Sequence, residues 1–102
     1  MDPRPVLMKI LQALPETKVV QQKSQISLRC GGHPYAALYP VRSKKLGLAI
    51  FLNERIDSPH LYAVSEPYPG RFTHHLRLES PEQADEELLG WLRRAAQWKR
   101  GR

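Results

Sequence analysis

The chain of 102 residues contains a single cysteine, Cys30. That excludes an internal disulfide framework and any cysteine-cluster metal centre. It fits a reducing compartment, so a cytoplasmic location is expected. Long apolar runs are missing as well. The longest, Leu46 to Leu52, includes Gly47 and falls far short of the ~20 residues a membrane span needs. The first residues are polar and broken by Pro3 and Pro5, which is no signal-peptide pattern. There is no nucleophile elbow, P-loop, Rossmann glycine pattern, zinc motif or glycosidase-like carboxylate pair. No metal, no cofactor and no membrane partner are expected, and no particular enzyme is supported. Acidic residues are scarce: 10 Asp and Glu stand against 16 Lys and Arg, a formal net charge of +6.

What is present reads as one domain, 1–102. Ordinary apolar content, 41%, argues against wholesale disorder. Pro3 and Pro5 open a short helix, 4–14, with Leu7, Ile10, Leu11 and Leu14 on one face and Pro15 stopping it. A sheet of about five strands is expected over 17–78. Four segments separated by short turns predict an antiparallel meander: Thr17–Val20, Gln25–Cys30, Tyr35–Val41 and Leu46–Leu52. Gly31-Gly32 and Ser43-Lys44-Lys45 are the later turns. Residues 53–70 look irregular, with Pro59, Pro67 and Pro69 breaking them and at most a helical turn near His60 to Val64. Phe72–Leu78 is the fifth strand. Ser80-Pro81-Glu82-Gln83 is a capping box with proline at the first helical position, so a helix is predicted over 81–98. Ala84, Leu88, Trp91, Leu92 and Ala95 form its apolar stripe, Gly90 suggests a close approach to the sheet, and a basic tail, 99–102, follows. The class is α+β, an antiparallel sheet flanked by an N-terminal and a C-terminal helix.

The charge is uneven. Residues 1–77 carry 11 basic and 5 acidic groups; residues 78–102 carry 5 of each. In the second stretch the acids come first and the bases last, as a helix dipole favours. The surplus therefore lies on the sheet and its turns.

Two groups of residues are candidates for function. Glu66, Tyr68, Arg71, Thr73, His75 and Arg77 gather types that bind anions or do acid–base work. Alternation puts Thr73, His75 and Arg77 on one face of their strand. His74 falls on the other face with Phe72, Leu76 and Leu78 and reads as a buried structural histidine. Glu66 can clasp Arg71 across the turn. Arg42, Lys44 and Lys45 at a hairpin turn, with Arg93 and Arg94 on the last helix, are candidates for nucleic-acid contact, and Tyr35, Tyr39 and Phe72 for stacking.

The segment Ser65-Glu66-Pro67-Tyr68-Pro69-Gly70-Arg71-Phe72-Thr73-His74-His75, followed by the helix with Glu87-Leu88-Leu89-Gly90-Trp91-Leu92, resembles a small bacterial and archaeal domain of unknown function. Members are often labelled "predicted transport protein", and the domain is similar to one attached to restriction-type nucleases. The likeness covers about residues 15 to 98. Where the family usually has a more basic turn, this chain has Cys30-Gly31-Gly32-His33. The resemblance implies a fold and candidate residues but no settled activity. The expected role is a non-catalytic binding or accessory module. The alternatives are a nucleic-acid-binding domain with a basic surface, and a small anionic-ligand or enzymatic site around Arg71 and His75. A homodimer or protein partner is expected if one sheet face stays uncovered.

Overall fold

Proline suits the first turn of a helix, where its missing amide is no loss. In the computed structural model, which describes residues 1–101, helix α1 runs Arg4–Ala13 and buries Val6 and Ile10. Four strands follow as the expected meander: β1 Lys18–Gln21, β2 Ile26–Cys30, β3 His33–Pro40 and β4 Leu46–Leu52. Gly31 and Gly32 take φ of 62° and 81°, which lets two residues reverse the chain between β2 and β3.

Two further strands, β5 Ala63–Tyr68 and β6 Arg71–Leu78, complete a six-stranded antiparallel sheet in the order β1-β2-β3-β4-β6-β5. The strand count is thus one more than expected, and residues 63–68 are extended rather than irregular. The reason is β5's position at the edge. All its residues are exposed except the half-buried Val64, so no alternation marks it. Pro67, which lacks an amide proton, sits at a register shift between Ser65 and Tyr68, a place an edge strand tolerates.

The last helix also starts later than 81. Glu79 and Ser80 both donate their amides to the side-chain oxygen of Gln83. That bonding closes only a single 3-10 turn, Pro81–Gln83, after which Ala84 leaves the helical region and buries its methyl. Helix α2 is Glu86–Arg100, capped by Asp85, whose Oδ1 accepts from the Leu88 amide at 3.0 Å. A carboxylate cap followed by Glu86 and Glu87 outcompetes the earlier start. Gly90 makes no close approach: a Cβ there meets nothing within 4 Å.

Both helices lie on one face of the sheet. Val6, Ile10 and Leu14 of the first segment and Leu88, Trp91, Leu92 and Ala95 of α2 join Leu46, Leu48, Ile50 and Leu52 in one core. Leu28, Cys30, Leu38, Leu76 and Leu78 extend it across the neighbouring strands. Each leucine fully buried there contributes roughly 1.5–3 kcal/mol. The register shifts between Leu28 and Arg29, leaving Tyr35 as the extra residue of β3. The bulge brings Tyr35 and Ala36 together into the core, so the Tyr35 ring offers no stacking surface. The Tyr35 hydroxyl lies 2.6 Å from Thr17 Oγ1, and burial pushes its pKa up to about 12. Among the described residues no helix is long and apolar enough to cross a membrane.

Candidate functional site

The opposite face of the sheet carries no helix, and the strand register dictates what it shows. Residues paired across strands share a face. One row runs Val20, Ser27, Ala37, Ala49, His75, Ala63 through all six strands. A flanking row holds Tyr39, Gly47 and Arg77. On the other flank Lys18 faces Arg29, and Phe51 faces Thr73 and then Ser65.

The side chains of the row with Tyr39 interlock. The Tyr39 ring lies across Gly47; a Cβ there would come within 2.3 Å of Tyr39 Cε2. Glycine is therefore what lets the ring cross β4 to β6. There the hydroxyl stands 3.0 Å from His75 Nδ1, with the rings edge-on at 79°. Burial raises the pKa of the Tyr39 phenol and keeps it neutral, an effect that the positive charge of Arg77 opposes. The Arg77 guanidinium carbon sits 3.7 Å from the centroid of Tyr62, a ring 61% exposed. A cation over an exposed ring contributes about 0.5–1 kcal/mol.

Charge on this face is one-sided. Lys18, Arg29, Arg71 and Arg77 all belong to it by alternation, and none is in an ion pair among the described residues. Arg29 and Lys18 stand directly opposite each other, and the Arg29 Nε is buried with no hydrogen-bond partner among the described residues. The only carboxylate within the six strands is Glu66. Its Oε2 accepts the Gly70 amide at 2.9 Å, so the clasp of the β5–β6 turn is made to the backbone rather than to Arg71.

The expected site residues separate into groups. Thr73, His75 and Arg77 share the open face as alternation predicts. Arg71 shares it too, but four residues from His75, roughly 13 Å along the strand. Glu66 and the 65% exposed Tyr68 belong to the hairpin end beside Arg71. Arg42 and Lys44 are exposed in the β3–β4 turn, where Ser43 and Lys44 adopt φ of 66° and 59°. That turn is at the opposite end of the sheet from Arg71. Lys45 is paired with Glu79 at 3.1 Å. Arg93 and Arg94 project from α2 on the helix side, and Arg94 is held by Glu54. The basic hairpin, the basic helix and Arg71 are thus not gathered on one surface.

His74 is the structural residue of the histidine pair. It is 1% exposed; its Nε2 accepts the Ile56 amide at 2.9 Å and its Nδ1 faces the Ile50 carbonyl at 3.4 Å. Desolvation pushes its pKa down, so the ring is held neutral. Lys18, Arg29, Phe51, Tyr62 and Gly47 of the open face stand outside the expected set. Tyr62 precedes a strand that exposure hides, and the part Gly47 plays emerges only once β3, β4 and β6 are set in register.

The chain matches the family model described as "Domain of unknown function (DUF5655)" over residues 5–98. No curated protein and no solved structure matches it. The chain belongs to the DUF5655 family, whose fold here is an α+β domain with one sheet face covered by helices and the other left open.

Proposed function

We propose that the protein is a non-catalytic binding or accessory module, that its ligand is anionic, and that it binds on the helix-free face of the sheet. Arg29 carries this reading. Its Nε is a buried donor without a partner among the described residues, and its strand position is directly opposite Lys18. A buried unpaired donor costs about 1–3 kcal/mol, and like charges directly opposite each other add to the cost. An anion taken up between the Lys18 ammonium and the outer nitrogens of the Arg29 guanidinium offsets the like-charge cost. Glu66, the one carboxylate of the strands, is engaged by the Gly70 amide, and neither Arg71 nor Arg77 has an acidic partner among the described residues.

Arg71 and His75 enter as parts of this surface, because their separation is too long for them to act on one atom. A homodimer closed through the same face would set cations against cations, and its apolar patch is slight, since Ala37 and Ala49 are already buried. The free, buried Cys30 suits a reducing, cytoplasmic setting. Heparin chromatography tests the reading. The intact chain is expected to be retained, the Arg29→Ala/Arg77→Ala variant to elute early, and Arg93→Ala/Arg94→Ala to elute near the parent. Retention lost equally in both double variants would defeat it.

A further inference from the structure

We infer that the anionic ligand is a single-stranded nucleic acid, laid diagonally across the open face from Lys18 and Arg29 to Arg77; this rests on the anion-binding reading above. The cations mark the ends of the path. Arg29 on β2 and Arg77 on β6 are three strand spacings and two rows apart, roughly 20 Å from strand spacing and rise. Between them the line crosses Ala37 and Ala49 and arrives at His75, the low ground of the face. Half-buried rings border it on both sides, Phe51 on one and Tyr39 on the other, and the exposed Tyr62 ring stands at the Arg77 end. Cations at both ends of a path bordered by rings suit a chain of phosphates and planar bases, because guanidinium and ammonium groups take the phosphates and any base can stack on a ring.

Other polyanions match only half of this. An acidic peptide such as polyglutamate uses the cations but has no planar group to lay on the rings, and a sulfated sugar offers them puckered C–H faces in place of flat bases. A duplex keeps its bases turned inward and presents phosphates on a convex surface that the rings cannot enter. The locked Tyr39, held by Gly47 beneath it and His75 beside it, is ordered before any ligand arrives, so little side-chain freedom is lost on stacking.

The test is fluorescence anisotropy of a labelled oligothymidylate with the full chain, titrated at several salt concentrations. A duplex of equal length, heparin and polyglutamate serve as competitors. The single strand is expected to bind at least tenfold more tightly than the duplex. Arg29→Ala/Arg77→Ala is expected to weaken it at least tenfold and to flatten the logarithmic salt slope by about 0.7 for each phosphate no longer neutralised. Arg77→Ala, at an exposed position, gives the same direction without risk to folding. Phe51→Leu is expected to weaken binding several-fold with the salt slope unchanged, which an electrostatic role alone would not produce. If duplex, heparin or polyglutamate binds as tightly through the same arginines, the surface is a general anion site and the inference is overturned while the anion-binding reading stands. If no polyanion binds, or binding ignores Arg29 and Arg77, that reading falls as well.

Discussion

His74 and His75 are neighbours on one strand, and the sheet separates them completely. His74 turns inward, is sealed from solvent, and uses both ring nitrogens on backbone groups of Ile50 and Ile56. His75 turns outward to a tyrosine that reaches it across a glycine. The same division holds for the sheet as a whole. The helix side is leucine packed on leucine, with every buried polar group of His74 answered. The open side has cations without counterions and a buried donor without a partner. One face therefore carries the stability of the fold, and the other tolerates electrostatic costs that folding alone does not require.

The largest break in this division is expected from the covered face. Leu48→Ala removes a fully buried side chain at the centre of β4 and should cost about 3 kcal/mol by the cavity it leaves, measured by denaturant unfolding. His74→Ala follows at about 2 kcal/mol, since the Ile56 amide and the Ile50 carbonyl lose their partner. His74 also sets a pH dependence. Its folded-state pKa lies below the unfolded value of about 6.5, so the unfolded chain binds the proton first. Stability should be full above about pH 6.5 and decline as pH falls below it. In His74→Gln that decline should be smaller than in the parent, whereas His75→Ala should keep it.

On the open face the effects on stability shrink and one reverses sign. Gly47→Ala forces the Tyr39 ring away from His75 and should cost about 1 kcal/mol, with a change in the His75 ring resonances reporting the displaced tyrosine. Arg29→Met should raise stability by up to about 1 kcal/mol in thermal unfolding, because it removes the unpaired Nε and the charge opposite Lys18. A clear loss instead would mean that Arg29 serves the fold. His75→Ala should leave stability within about 0.5 kcal/mol of the parent.

Much of this division is legible in the residues. Alternation alone separates His74 from His75, and it alone places Leu46, Leu48, Ile50 and Leu52 on one face. The Gly31-Gly32 turn and the apolar stripe from Ala84 to Ala95 are equally plain. Edge strand β5 is not, because exposed strands lack the alternation that burial imposes, and Pro67 reads as a break. The start of α2 is obscured because two caps compete within six residues, and tertiary burial of Ala84 favours the second. The open face is half legible. Its cations can be counted along the chain, but Arg29 and Arg77 meet Tyr39 and Phe51 on one surface only through the insertion of β6 beside β4.

Arginine side-chain resonances give the most direct test of the claim that the open face is the binding surface. In an NMR titration with oligothymidylate, the Nε–Hε signals of Arg29 and Arg77 should shift together and saturate at one ligand concentration, while those of Arg93 and Arg94 on the helix side stay in place. Shifts confined to Arg93 and Arg94, or spread evenly over all four, would contradict it.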